Sequence, residues 1–173
     1  SISKLKNILE DEDSKNILFV TGKKSFFTSG AAAATESIFK NFNVIRFNDF
    51  EINPKLEDAI RGSEIARKNN IDTIVSIGGG SVIDIAKLIL AFLDADQDVE
   101  KIIDGSIKAN FSTLQHISVP TTAGTGSEST HFAVVYNNKK KYSVADDFLM
   151  TKIVFLDGML SFSYTHMTLP TKA

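Results

Sequence analysis

The stretch Asp72-Thr73-Ile74-Val75-Ser76-Ile77, running directly into Gly78-Gly79-Gly80-Ser81 and then Val82-Ile83-Asp84-Ile85-Ala86-Lys87, decides the fold. The first six residues read as a short buried strand, and the apolar stretch from Val82 to about Leu93 reads as a helix. Three glycines between them let the backbone come close to a ligand, because no Cβ stands in the way and a positive φ costs little. The helix that follows aims its free N–H groups and the positive end of its dipole at the same place. That combination suits a phosphate. Ser81 is placed to cap the helix or donate its hydroxyl to the anion, while Asp84 in the first turn is placed to accept from a ribose or an amide. The plainer alternative is a tight strand-to-helix turn capped by Ser81 and holding nothing. Neither the dinucleotide pattern of alternating glycines nor a triphosphate loop ending in Gly-Lys-Ser or Gly-Lys-Thr is present.

Outward from this unit the same alternation repeats. Asn16 to Gly22 is an apolar run ending in glycine, followed by a loop with Lys23, Lys24 and Ser25. The alanine-rich stretch Gly30 to Phe42 predicts a helix, Asn43 to Phe47 a second strand, and Lys55 to Lys68 another helix after the break at Asn53-Pro54. Downstream, a strand over Gln115 to Val119 leads into Pro120-Thr121-Thr122-Ala123-Gly124-Thr125-Gly126-Ser127-Glu128. Hydroxyls and small residues directly after a strand are suited to wrap a pyrophosphate or a carboxamide. Phe132 to Tyr136 and Tyr142 to Val144 flank Asn137 to Lys141 as a β-hairpin with a solvated turn, and Ile153 to Leu156 is a last strand. Regular alternation of strand and helix implies an α/β, Rossmann-like domain: a parallel sheet flanked by helices, plus the hairpin.

Composition narrows the function. The chain has 173 residues, 43% hydrophobic and 23% charged, with a formal net charge of −2. That is enough for one ordinary core, and no basic run points to nucleic acid or an anionic membrane. A small-molecule ligand is the default partner. The absence of cysteine excludes disulfides and thiolate metal sites and fits a reducing, cytoplasmic setting. No apolar run is long enough to span a bilayer, and Ser1-Ile2-Ser3-Lys4 lacks a signal-peptide core.

Gly78 to Lys87, followed by Pro120 to Glu128, closely resembles the two fingerprints of iron-dependent alcohol dehydrogenases. The resemblance extends through Asn53-Pro54, Lys141-Tyr142-Ser143 and Leu156-Asp157-Gly158, to about Ser161. It implies a nucleotide-binding domain over residues 1–162, the first half of an oxidoreductase whose helical second half holds Fe2+ or Zn2+. It implies that Gly79, Gly80 and Ser81 hold the pyrophosphate, with Asp84 toward the nicotinamide. Thr121, Thr122 and Thr125 line the middle of the cofactor, Lys141 contacts a ribose, and Asn53 stands at the turn beside the adenosine half. Where NAD-preferring members resemble one another in an aspartate after the first strand, this chain has Gly22. Gly22 leaves room for a 2′-phosphate, and Lys23, Lys24 and Ser25 offer it charge and a donor, so NADP is expected over NAD.

For the intact parent the resemblance implies hydride transfer between NADP(H) and a small aldehyde or alcohol, and it allows a homodimer. The segments His131 to Tyr136 and Lys141 to Ser143 faintly resemble phosphonoacetaldehyde reductases within the family. The metal ligands are expected beyond Asp157, so the fragment is expected to carry no catalytic residue and no turnover. Each of His116, His131 and His166 reads as a hydrogen-bonded structural residue. The front is expected to lack a strand that relatives possess. Residues 163–173 resemble a translated transposase adapter used in sequencing libraries and are expected to be non-native. Two other readings are a dehydroquinate-synthase-like, NAD-using lyase and a free-standing nucleotide-binding module; the Thr121 to Gly126 loop argues for the dehydrogenase.

Overall fold

A computed structural model describes residues 2–95 and 98–160; the expected non-native tail at 163–173 lies outside them. Five strands, β1 (Asn16–Thr21), β2 (Asn43–Phe47), β3 (Thr73–Gly78), β4 (Gln115–Pro120) and β7 (Ile153–Val154), form one parallel sheet in the order β2-β1-β3-β4-β7. The chain leaves β1 for one side and returns through β3 on the other. The crevice at that reversal, outside the carboxyl ends of β1 and β3, is where open α/β sheets of this order bind ligands. The glycine run sits there, at the end of β3.

Helices cover both faces. Helices α1 (Leu5–Asp11), α2 (Ser25–Thr28) and α3 (Ala31–Thr35) pack on one side around Phe19, Phe26, Val75 and Ile117. Helices α4 (Leu56–Lys68), α5 (Gly80–Ala91) and α6 (Val99–Ile103) belong to the core on the other side, with Val20, Phe47, Ile74 and Leu88. The antiparallel hairpin of β5 (Phe132–Asn137) and β6 (Lys140–Ala145) lies on α5 and contributes Ala133, Val135 and Val144 to that core. Helix α5 therefore has the sheet on one side and the hairpin on the other. This explains why it is apolar almost all round, and why every residue from Ile85 to Ala91 is buried.

Local differences from the sequence expectations have physical causes. The predicted helix over 30–42 is instead α3 followed by a 3-10 turn at Ile38–Asn41. The Thr35 hydroxyl donates to the Ala31 carbonyl at 2.8 Å, the back-bonding by which threonine competes with a continuing helix. The lysine loop is shorter than expected, since Ser25 opens α2 and buries Phe26 behind it. The hairpin turn contracts to Asn138 and Lys139, both at positive φ (49° and 65°), as a two-residue turn matching the strand twist requires. The last strand pairs only through Ile153 and Val154, and α6 was not anticipated.

Candidate nucleotide site

Gly79 is the N-cap residue of α5 in extended conformation (φ −81°, ψ −173°), and Val82 and Ile83 donate back to its carbonyl at 2.9 and 3.2 Å. None of Gly78, Gly79 and Gly80 has a positive φ, which corrects that part of the expectation and leaves close approach as the reason for the run. A Cβ on Gly78 would press on Val82 at 2.5 and 2.8 Å. One on Gly79 would meet the Thr122 hydroxyl at 3.0 Å, and one on Gly80 the Ser127 hydroxyl at 3.1 Å and Thr125 Cβ at 3.3 Å. The absent side chains let the β4 loop close over the glycine loop. Ser81, the second residue of the helix, makes no capping bond, which corrects the reading of it as a cap.

Several polar groups converge unsatisfied on this cradle. Among the described residues the amides of Gly80 and Ser81 donate to nothing, as befits the first turn of a helix. Thr122 Oγ1 is buried without a partner, and so is Glu128 Oε2 in the same loop. An orphaned buried hydroxyl costs about 1–3 kcal/mol, so a ligand supplying its partner recovers a real penalty. Thr121 is itself buried and its amide bonds the Gly78 carbonyl at 2.9 Å, which ties the two loops together; Thr125 is exposed at the mouth.

One turn along α5, Asp84 and Lys87 share the face under the hairpin, as residues three apart do. The Asp84 carboxylate accepts from the Val134 amide at 3.2 Å. Burial pushes its pKa upward, against the pull of the Val134 amide, Lys87, the Ser127 hydroxyl and Lys141. Lys87, wholly enclosed, donates to the carbonyls of Ser127 and Thr130 (both 2.5 Å) and Phe132 (3.1 Å), and to the Thr130 hydroxyl (3.1 Å). Burial lowers its pKa to about 8, with Asp84 and Glu128 opposing, so at neutral pH it remains an ammonium. Lys87 is the residue the sequence reading missed. Its signal was there: the one cation in α5, a helix whose only other charged residue is Asp84.

At the other end of the crevice, the space beside Gly22 is filled. A Cβ there would collide with the Ser25 hydroxyl, while Val82 of α5 lies 3.9 Å off. Lys23 pairs with Asp49 at 3.2 Å, and both are largely exposed. Such a pair contributes at most about 1 kcal/mol and yields readily to a better anion. Arg46, also unanticipated, reaches from β2 to donate to Thr21 Oγ1 at 2.8 Å and to the Gly22 carbonyl at 3.4 Å.

The structure does not gather every expected residue. Lys141 stands on the exposed side of β6, where its charge reaches Asp84 but touches no cradle atom. Asn53, at φ 60°, lies apart from the glycine loop, in a cleft of about 480 Å3 formed with Lys55, Ile60, Tyr136 and Lys139. His116 is a buried structural residue as expected, bonded to the Ser76 hydroxyl at 2.8 Å, with its pKa driven down to about 3 by burial and then by Lys87. His131 is exposed, its ring edge-on to Phe132 and without a hydrogen bond among the described residues, so the hydrogen-bonded reading fails for it there. His166 lies outside the described residues. Among the described residues no group of three or more His, Asp or Glu is arranged to hold a metal, and no helix is long and apolar enough to cross a membrane.

Comparison with known proteins is consistent with this geometry. The family model described as iron-containing alcohol dehydrogenase matches residues 1–158. An aldehyde-alcohol dehydrogenase of Streptococcus pneumoniae is 38% identical over 126 residues, 66% of this chain and 14% of that protein. NADH-dependent butanol dehydrogenase A of Clostridium acetobutylicum is 32% identical over 151 residues, 85% of this chain and 39% of that protein. The crystal structure of sulfoacetaldehyde reductase from Bifidobacterium kashiwanohense in complex with NAD+ superimposes with a TM-score of 0.83 at 29% identity, over 93% of this chain and 43% of that one. The chain thus spans well under half the length of these relatives.

Proposed function

The chain belongs to the iron-containing alcohol dehydrogenase family, and from that premise we propose that it is the nucleotide-binding part of an enzyme transferring hydride between NADP(H) and a small aldehyde or alcohol. The observation that carries the reading is the convergence of the open Gly80 and Ser81 amides with the orphaned Thr122 hydroxyl, at the point where the sheet order reverses. These donors suit a pyrophosphate. The nicotinamide supplies the hydride when bound. Gly79, Gly80 and Ser81 grip the diphosphate, and Thr121, Thr122 and Thr125 close over it. Asp84 stands beyond, toward the hairpin, where its carboxylate accepts from the Val134 amide. Lys87 holds the covering loop in place. No described cluster of this chain fits the family's metal, so no step is assigned to one.

The preference for NADP rests on this chain's own residues, since the relatives named above include one called NADH-dependent and one holding NAD+. Gly22 presents no carboxylate to repel a 2′-phosphate, the Ser25 hydroxyl stands against it, and Lys23 and Lys24 follow it in the chain. Titration of the purified chain with NADPH and with NADH, followed by nicotinamide fluorescence, tests the reading. Saturable binding tighter for NADPH is expected, without turnover of aldehydes; equal or tighter binding of NADH refutes the preference. The lyase alternative has no observation in its favour.

A further inference from the structure

Arg46 occupies a position that structural support of the sheet edge does not explain. Its side chain leaves β2 on the α2 face and folds over the carboxyl end of β1. There Nε is fixed by the buried Thr21 hydroxyl at 2.8 Å and Nη2 leans on the Gly22 carbonyl at 3.4 Å. The guanidinium lies 4.4 Å from the Phe26 ring centre and 5.1 Å from that of Phe27, so its plane is held as well as its stem. Among the described residues no carboxylate comes within 4.0 Å of it, and Nη1 donates to nothing. Asp49, an acidic group at this lip, is taken by Lys23 at 3.2 Å and Arg61 at 3.8 Å. Burial also lowers the pKa of Arg46, the mark of a cation partly stripped of water without an acid in exchange.

A fixed, half-buried guanidinium with its outer N–H groups open is suited to a doubly charged, three-oxygen acceptor more than to a carbonyl or hydroxyl. It adjoins Gly22, the residue beside which the proposed function places the ribose of the adenosine half. Resting on that reading, we propose that Arg46 is the specificity-determining residue for the cofactor 2′-phosphate, and that Lys23, already paired with Asp49, is secondary. Arg46 binds the phosphate through Nη1 and the outer N–H of Nη2 while Nε stays on Thr21. The ribose 2′-hydroxyl of NAD gives it little to hold.

The test compares dissociation constants of NADPH and NADH for the whole 173-residue chain, Arg46→Gln and Arg46→Lys, with circular dichroism to verify folding. Arg46→Gln is expected to weaken NADPH by about tenfold or more and NADH by less than about threefold. Arg46→Lys keeps the charge without the fork, and recovers part of the NADPH loss; if the Gln variant does not fold, the Lys variant alone must still lose NADPH selectively. Equal weakening of both cofactors, or of neither, in a chain that prefers NADPH overturns the role of Arg46 and leaves the proposed function standing. A wild-type chain without preference for NADPH overturns the NADP reading, and this inference with it.

Discussion

Lys87→Met is the most informative perturbation of this structure. Methionine keeps the apolar stem, so little cavity forms, but it removes the only donor that reaches the Ser127, Thr130 and Phe132 carbonyls from α5. Each buried acceptor left without its donor costs about 1–3 kcal/mol. Three carbonyls and a hydroxyl, some of them partly re-bonded by Thr130, bring the total to about 3–5 kcal/mol, the range for removing one partner of a buried charged group. Against a domain stability of about 5–15 kcal/mol this leaves a folded but weakened protein. With a urea slope of about 1–3 kcal/mol per molar, the unfolding midpoint should fall by more than about 1 M. A pH series supplies an independent check. Folded Lys87 releases its proton near pH 8, whereas unfolded it holds the proton to about 10.4. Between these values the unfolded state binds more protons, so wild-type stability contains a component that rises with pH, and Lys87→Met lacks it. A midpoint shift below about 0.3 M with an unchanged pH profile would refute the view that this ammonium ties the covering loop to α5.

Four further outcomes follow from other contacts in the structure. Gly78→Ala forces a methyl into Val82 and should cost about 1–3 kcal/mol in thermal or urea unfolding. Gly80→Ala presses instead on Ser127 and Thr125 at the cradle mouth, and should lower NADPH affinity more than stability; the reverse order in calorimetric titration and melting would contradict the assignment of the cradle. Gly22→Asp combined with Ser25→Gly, which removes the colliding hydroxyl, should shift the NADPH-to-NADH affinity ratio by about tenfold toward NADH, and an unchanged ratio counts against any contribution of Gly22 to the preference. His116, held near pKa 3 when folded, takes up a proton on unfolding below about pH 6.5. Wild-type stability is therefore lost as pH falls from 6.5 toward 3, and His116→Gln, which can still meet the Ser76 hydroxyl, should flatten that acid limb in urea titrations.

Much of the architecture was legible in the chain itself, because strands buried on both faces must be continuously apolar and a helix sealed between sheet and hairpin must be apolar all round. Ile74 to Ile77 and Val82 to Ala91 carry those patterns openly, and the glycine and threonine loops announce themselves by following strands. Local sequence, however, describes only what a residue offers, and partners distant in the chain decide what it does. Gly78 to Gly80 read as room for a ligand against the backbone, yet the missing side chains also make room for Val82, Thr122 and Ser127. Lys87 closed the glycine fingerprint without a role of its own, and the structure gives it one by folding the loop 40 to 45 residues on around it. Arg46 read as a strand residue, and gained meaning only when parallel pairing set β2 beside β1 and delivered its guanidinium to Gly22. Conversely Asn53, quoted in one breath with the glycine loop, is carried by the β2–α4 connection to the hairpin tip. Hydrophobic periodicity is a property of neighbours in sequence, so the sequence determined the sheet and its helices. Hydrogen bonds and charge pairing depend on neighbours in space, so only the tertiary structure decided which side chains make the site.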